Sequence, residues 1–125
     1  MAKGCNIALI GQKFMGRVHS NAYLKAPRFF PKLARVPVMH TIAGRNQAEL
    51  AEFARVWGWR HHTASLREIA RNDEIELVDI GTPNNMHREQ SIMMLEAGKS
   101  VAREKPLAQN LKEAKEMLAA ARKAR

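Results

Sequence analysis

The sequence predicts a doubly wound α/β fold, with a parallel sheet of about five strands and helices on both faces. Short apolar segments alternate with amphipathic helical segments along the whole chain. The first apolar run, residues 7–10, contains no polar side chain, which is typical of a strand buried on both faces. It leads into residues 11–16, which read G-x-G-x-x-G with lysine in place of the second glycine. A strand, this turn and a helix together predict a dinucleotide-binding domain.

Length and composition indicate a single domain. The chain has 125 residues and a mass of 14.1 kDa. No apolar run approaches the ~20 residues that a membrane span requires, and no signal peptide is recognisable at the N-terminus. Cys5 is the only cysteine, so an internal disulfide is excluded, in agreement with a reducing compartment. We expect a cytoplasmic protein in which residues 1–125 form one dinucleotide-binding domain.

The net charge of +9 is the one unusual bulk property. It is typical of proteins with anionic partners, nucleic acid among them. The 21 lysines and arginines are, however, scattered along the chain, and no helix-turn-helix, zinc-finger or ribonucleoprotein signature accompanies them. A solvated basic surface is therefore the favoured interpretation, and nucleic-acid binding is the weaker alternative.

The first helix is predicted over residues 14–25, with Met15, Val18 and Ala22 on its buried side. Residues 26–37 contain three prolines and predict a long surface connection. We expect Phe29 and Phe30 in that connection to pack back onto the domain.

Capping patterns mark the middle of the chain. A second strand is predicted over residues 38–43, and the spacing Asn46-x-x-Glu49 predicts the start of a helix that Gly58 ends. A short third strand over residues 59–63 follows. The spacing Ser65-x-x-Glu68 then predicts a second capped helix.

The last third of the chain repeats the alternation. A fourth strand, residues 75–80, ends in Gly-Thr-Pro-Asn, and a helix follows over residues 85–97. A fifth strand over residues 100–103 leads into Glu-Lys-Pro. Asn110 is predicted to cap the last helix. Its buried side is predicted to carry Leu111, Ala114, Leu118 and Ala121.

The turn over residues 11–16 feeds a helix whose N-terminal N–H groups can hold the diphosphate of a dinucleotide. Lys13 departs from the pattern, because glycine at this position lets the backbone approach the diphosphate. Two outcomes stay open. The side chain points outward and its ammonium pairs with a phosphate, or the nucleotide site is weakened.

Three segments resemble one family. IGQKFMGRVHSNA, DIGTPNNMH and EKPLA, in this order and at this spacing, are similar to the nucleotide-binding domain of the Gfo/Idh/MocA oxidoreductases, the family of glucose-fructose oxidoreductase and inositol dehydrogenase. The likeness covers nearly the whole chain. It implies a Rossmann-type domain and hydride transfer between a nicotinamide cofactor and a sugar or polyol. It also implies a sixth strand and a substrate domain, which are absent from this sequence.

The resemblance assigns roles to individual residues. Lys105 is implied as the catalytic residue, donating a hydrogen bond to the substrate oxygen, with Glu104 positioning it. Lys105-Pro106 is a candidate cis bond. The turn after the fourth strand is implied on the ribose and nicotinamide side, with His87 nearby. The predicted cofactor-binding residues are Gly11, Lys13, Phe14, Met15, Gly44, Arg45, Thr82, Pro83, Asn84, His87, Glu104 and Lys105.

The end of the second strand bears on the choice of cofactor. An acidic residue there binds the ribose 2′-hydroxyl of NAD, whereas a small residue followed by arginine accommodates the 2′-phosphate of NADP. Here the sequence reads Gly44-Arg45. We therefore expect NADP to be preferred, with NAD as the alternative.

The five histidines show no metal-binding spacing, so we predict no metal. His19 and His40 are interpreted as structural.

An open sheet edge predicts self-association of the chain. Without a substrate domain, two functions remain: the cofactor half of an oxidoreductase, inactive alone, or a non-catalytic dinucleotide-binding or interaction protein.

Overall fold

The computed structural model describes residues 3–124, which form a five-stranded parallel sheet with helices on both faces. The predicted doubly wound fold is therefore confirmed. Among these residues no helix combines the length and apolar composition needed to cross a bilayer. The elements are β1 (Lys3–Ile10), α1 (Phe14–Phe29), β2 (Arg35–Ala43), α2 (Gln47–Trp57), β3 (His61–Thr63), α3 (Leu66–Arg71), β4 (Leu77–Ile80), a 3₁₀ turn (Asn84–Met86), α4 (His87–Glu96), β5 (Ser100–Arg103) and α5 (Leu111–Lys123).

The strands lie in the order β3-β2-β1-β4-β5. The chain thus moves outward from β1 in one direction and then returns to β4 on its other side. In open sheets of this kind, ligands bind beyond the carboxyl ends of the strands where the order reverses. Here that point lies between β1 and β4.

Strand β1 contributes to two cores because its side chains alternate between the faces of the sheet. Ile7 and Leu9 join a cluster with Leu50 and Ala54 of α2, whereas Ala8 and Ile10 join a cluster with Ile69 of α3. All four strand residues are at most 2% exposed, as the unbroken apolar run predicted.

Helix α1 differs most from its prediction. It continues through Pro27 to Phe29, and β2 begins at Arg35 and contains Pro37, so the connection spans only residues 30–34. Pro37 pairs with β1, and β3 covers only residues 41–43 of β2, so Pro37 lies where its strand has one neighbour. A proline is tolerated at such a sheet edge. Phe29 is 74% exposed, so the expectation that the phenylalanines pack back was wrong.

The predicted buried side of α1 was also wrong. Val18 is 41% exposed, and the face turned toward the sheet carries Gly16, His19, Ser20 and Tyr23 instead. These residues still follow helical spacing, but three of them are polar. Buried Ser20 accepts a hydrogen bond from the indole of Trp59 at 3.0 Å. The helix therefore packs through polar contacts that an apolar stripe does not reveal.

The predictions for the cap of α3 and for the buried side of α5 were wrong. Ser65 makes no side-chain capping bond to α3; the Thr63 hydroxyl instead accepts from the Ser65 N–H and donates to Glu68.

Helix α5 packs against α4 and buries Met117, and its Leu111 and Leu118 are 68% and 50% exposed. Because α5 lies on a helix and not on the sheet, its buried stripe is narrower than the sequence pattern indicated.

Candidate functional site

The loops that leave β1 and β4 meet backbone to backbone. Gly11 has a φ of 121°, a conformation that favours glycine, and a Cβ there would lie 3.0 Å from the carbonyl oxygen of Gly81. Next to them, a Cβ at Gly16 would lie 2.2 Å from the Gly11 carbonyl oxygen. Three glycines thus form a close-packed cradle at the start of α1.

The first turn of α1 faces this cradle with free N–H groups. Lys13 is the N-cap residue, it makes no side-chain capping bond, and the first turn holds no acidic residue. Such a helix terminus is suited to an anion. The backbone of Lys13, with φ −96° and ψ −144°, is not a conformation reserved for glycine, and its side chain is exposed. Phe14 is 64% exposed, and Met15 is half-buried beside Gly81.

Gln12 fills the space at the end of β2, a role that the sequence pattern did not indicate. A Cβ at Gly44 would lie 2.0 Å from its Oε1 atom. The Nε2 atom of Gln12 donates to Glu49 Oε2 at 3.2 Å. In the described part of the chain, buried Gln12 Oε1 has no hydrogen-bond partner. An amide oxygen in the turn that follows β1 is therefore buried without a partner among the described residues.

Arg45 reaches across the same crevice. Its Nη2 atom lies 3.9 Å from Met86 Sδ, in the 3₁₀ turn that follows β4. The guanidinium is exposed. The two loops that flank the crevice outside β2 and β4 are thus bridged by a cation at the position predicted to meet the ribose.

The turn after β4 presents a second unpaired group. Thr82 donates its hydroxyl proton to Gln90 Oε1 at 2.6 Å, and exposed Pro83 precedes the 3₁₀ turn. Asn84 Oδ1 is buried and, among the residues described, has no hydrogen-bond partner. Like Gln12 Oε1, it belongs to a loop at the carboxyl edge of the sheet. The cradle and the two unpaired oxygens fit a dinucleotide whose hydroxyl and amide groups donate to them.

His87 braces this turn from behind. It is 1% exposed, and its two ring nitrogens lie 2.9 Å from the carbonyl oxygens of Thr82 and Pro106. Both nitrogens therefore face backbone carbonyl oxygens, and a neutral ring donates a hydrogen bond to one of the two. The contact between His87 and cofactor stays a prediction. The position of the ring gives it a separate role, which is to hold the loops after β4 and β5 together.

The loop after β5 holds the predicted catalytic residue. Lys105 is exposed, and Lys105-Pro106 is a cis bond, as predicted. The N–H of Glu104 donates to the Ile80 carbonyl at 3.0 Å, which sets this loop beside the end of β4. Glu104 Oε1 lies 2.6 Å from His19 Nε2, so its carboxylate points back toward α1.

His19 belongs to a charged cluster that the sequence analysis missed. Its Nδ1 atom lies 2.7 Å from Asp79 Oδ2, which also accepts the hydroxyl proton of Tyr23 at 2.5 Å. Burial lowers the pKa of His19, but the bonds and charges of Asp79 and Glu104 outweigh it and raise that pKa above its ordinary value. Burial and the charge of Asp79 raise the pKa of Tyr23. An aspartate inside the apolar β4 segment was the signal, since a buried carboxylate requires partners.

Metal binding has no support in the part of the chain that is described. Within residues 3–124, no group of three or more histidine, cysteine, aspartate or glutamate side chains lies close enough to hold an ion. His40 is buried, its Nδ1 lies 2.7 Å from Thr41 Oγ1, and its Nε2 lies 3.2 Å from Glu74 Oε2.

Comparison with known proteins agrees with this geometry. The chain is 44% identical over 112 residues to levoglucosan dehydrogenase of Pseudarthrobacter phenanthrenivorans, covering 90% of this chain and 29% of that protein. It is 37% identical over 81 residues to scyllo-inositol 2-dehydrogenase (NADP(+)) of Bacillus subtilis, covering 65% of this chain and 25% of that protein.

Solved structures give the same result. A levoglucosan dehydrogenase in complex with NADH and L-sorbose superposes with a TM-score of 0.92 at 42% identity, covering 96% of this chain and 32% of that one. An NAD binding oxidoreductase from Klebsiella pneumoniae gives a TM-score of 0.92 at 38% identity, with 98% and 32% covered. The chain thus spans about a third of the length of these relatives.

A family model assigns nearly all of the chain. The model of the GFO_IDH_MocA oxidoreductase family, NAD-binding Rossmann fold, matches residues 5–125. The glycine cradle, the reversal of strand order at β1 and the Glu-Lys-Pro loop agree with that match. This chain belongs to the Gfo/Idh/MocA oxidoreductase family and carries its NAD-binding Rossmann fold.

Proposed function

We propose that this chain is the coenzyme-binding part of an oxidoreductase that moves a hydride between a nicotinamide dinucleotide and a hydroxyl-bearing carbon of a sugar or polyol. The observation that carries the proposal is the cradle of Gly11, Gly16 and Gly81, flanked by the unpaired oxygens of Gln12 and Asn84. The substrate class is supported by the names of the relatives, which include levoglucosan and scyllo-inositol dehydrogenases. A cytoplasmic location is part of this proposal.

The proposed roles follow from where the side chains lie. The first turn of α1 holds the diphosphate through its free N–H groups, with Lys13 adding an ammonium at the rim. Gln12 and Asn84 accept hydrogen bonds from the coenzyme. When bound, the nicotinamide supplies the hydride acceptor or donor. Lys105 donates a hydrogen bond to the substrate oxygen and so stabilises negative charge that develops there.

Substrate binding needs more surface than these residues provide. Lys105 is exposed, and nothing packed over it in the described structure would exclude water from a reacting hydroxyl. We therefore propose that turnover requires a substrate-binding domain or partner seated over the crevice, and that the 125-residue chain alone binds coenzyme without catalysing the reaction.

We also propose that NADP(H) is preferred over NAD(H). The end of β2 offers Gly44 and the exposed guanidinium of Arg45, and no carboxylate follows the strand directly. Glu49 is the nearby acid, and its carboxylate accepts a bond from Gln12. The relatives include both an NADH complex and an enzyme named for NADP(+), so the preference depends on Arg45 itself.

Isothermal titration with NADPH and with NADH tests both parts of the proposal. We expect NADPH to bind about tenfold more tightly, which corresponds to about 1.4 kcal/mol. Arg45→Ala should remove that difference, whereas the matched control Arg67→Ala, at an exposed arginine on α3, should keep it. Equal affinity of the unchanged chain for both coenzymes would refute the preference, and absence of binding by either would refute the function.

A further inference from the structure

The Glu104–Pro106 loop is held at both ends by histidine side chains. On one side, His87 Nδ1 lies 2.9 Å from the Pro106 carbonyl oxygen. On the other, His19 Nε2 lies 2.6 Å from the Glu104 carboxylate. Lys105 is the exposed residue between these two attachment points. Its position in space is therefore set by its neighbours in the chain.

The attachment at Glu104 depends on the charge of His19. A neutral imidazole has one N–H and can donate to one acceptor, whereas the imidazolium form donates from both nitrogens. The two ring nitrogens of His19 face two carboxylates, Asp79 at 2.7 Å and Glu104 at 2.6 Å. Only the imidazolium satisfies both, and it also offsets one of the two negative charges.

Asp79, the other carboxylate that contacts His19, fixes the direction of the imidazole ring. Asp79 is 3% exposed in strand β4, and it accepts from both His19 and Tyr23. It cannot follow a moving loop, because β4 is paired with strands on both sides. His19 therefore links a rigid strand to the loop that carries the lysine. The titratable groups that face this cluster are Asp79 from β4, Glu104 from the loop after β5, Tyr23 from α1 and, through Tyr23, Cys5 from β1.

We propose that His19 is a positioning residue, whose imidazolium joins Asp79 to Glu104 and so fixes the loop that carries Lys105. Its consequence for catalysis rests on the proposed function of Lys105, but the ordering of the loop can be measured without turnover. Ordering depends on pH: as His19 loses its proton, one of the two carboxylate contacts is lost and the loop loosens. The burial of His19, which opposes the charge, is outweighed by its two partners.

The test uses the whole 125-residue chain and nuclear magnetic resonance. The ring of His19 and the backbone amides of residues 104 and 105 are followed against pH. We expect both to titrate with one midpoint, above the ordinary histidine value of 6.5. Glu104→Gln removes one charge and should lower the His19 midpoint. Separate midpoints for ring and loop, or a His19 midpoint unmoved by Glu104→Gln, would overturn the proposal.

Two variants separate positioning from general packing. A glutamine amide reaches the place of Nε2, and an asparagine amide the place of Nδ1. His19→Gln should keep the bond to Glu104 and leave amide exchange at the loop within about twofold of the unchanged chain, whereas His19→Asn should raise it roughly tenfold. Amide exchange in β1 reports the fold in both variants. Equal effects of the two variants would overturn the proposal. Failure to bind coenzyme with a pH-ordered loop would count against the proposed function alone.

Discussion

Gly16 and Gly11 lie so close together that a Cβ atom on Gly16 would be 2.2 Å from the Gly11 carbonyl oxygen. The atom that it would meet is backbone, which cannot turn aside as the end of a flexible side chain can. This contact sets the first turn of α1 against the end of β1. It therefore fixes the N–H groups that are proposed to hold the diphosphate.

Replacing Gly16 should affect both stability and binding. We expect Gly16→Ala to lower the free energy of unfolding by about 3 kcal/mol, because α1 must move away from the turn, and to abolish coenzyme binding. Urea denaturation and titration with NADPH measure the two effects. Gly98→Ala is the control: unlike Gly16 it has a positive φ, but no atom lies within 4 Å of the added Cβ, so the change should cost only about 1 kcal/mol. Equal losses in the two variants would contradict the steric explanation.

Gln12 and Gly44 should control coenzyme preference together. A carboxylate placed at Gly44 would bind ribose hydroxyls and repel a 2′-phosphate, but its Cβ would lie 2.0 Å from Gln12 Oε1. We expect Gly44→Asp alone to bind NADPH and NADH weakly, because Gln12 must turn aside and lose its bond to Glu49 to make room. The double variant with Gln12→Ala should prefer NADH by about tenfold in isothermal titration.

Gln12→Ala alone is the control for this pair, and it should still prefer NADPH. If Gly44→Asp alone bound NADH as tightly as the double variant, the collision with Gln12 would play no part in the preference.

Lys13 should strengthen coenzyme binding by its charge. Its backbone conformation is open to any residue and its side chain is exposed, so we expect it to pair with a phosphate from the rim of the site. Lys13→Gly should weaken NADPH binding by about threefold and reduce its dependence on salt. Lys32→Gly, at another exposed lysine, should leave both unchanged. Tighter binding by Lys13→Gly would show that the side chain obstructs the site.

The His19 cluster predicts a loss of stability at alkaline pH. The folded-state pKa of His19 is raised above its ordinary value of 6.5, so the folded protein holds the proton more tightly than the unfolded chain. The resulting stabilisation is complete below about 6.5 and is lost as pH rises through the folded-state pKa. Urea denaturation between about pH 5 and 9 should show this decline. His19→Gln should remove it and His62→Gln should retain it; a decline of the same size in His19→Gln would assign it to other groups.

The outer edge of β5 should make the chain self-associate. In the described sheet, β5 pairs with β4 on one side only, which leaves backbone donors and acceptors of the last strand exposed. We expect sedimentation to show larger species as concentration rises. Ala102→Lys places a charge on an exposed position of this strand and should reduce association. Ala51→Lys, at an exposed position of α2, should not. A monomer at all concentrations would contradict this prediction.

Local patterns predicted the fold where one residue decides the geometry. The capping spacings at Asn46 and Asn110 were confirmed, because each side chain accepts a bond from the backbone N–H three residues later, at 3.1 and 2.9 Å. The similar spacing at Ser65 was not, because Thr63 supplies the bonds in its place. Which of the two neighbouring hydroxyl groups makes these bonds depends on the path of the backbone. The spacing of residues in the sequence does not give that path.

The site was predictable where it follows the chain and hidden where it depends on distant residues. The glycine turn and the Glu-Lys-Pro loop could be recognised from adjacent letters. His19, Asp79 and Glu104 could not be connected, because 60 and 85 residues separate the contacting pairs. Hydrophobic periodicity also misplaced the buried face of α1, since that face carries Ser20 and Tyr23 where an apolar stripe was expected.

The ring nitrogens of His87 lie 2.9 Å from the carbonyl oxygens of Thr82 and Pro106, so the ring packs between the loop after β4, which is proposed to meet the ribose, and the loop that carries Lys105. We expect a substitution that shifts one of these loops to shift the other as well, because the His87 ring contacts both. We therefore expect a substitution at His87 to disturb coenzyme binding and the placement of Lys105 together.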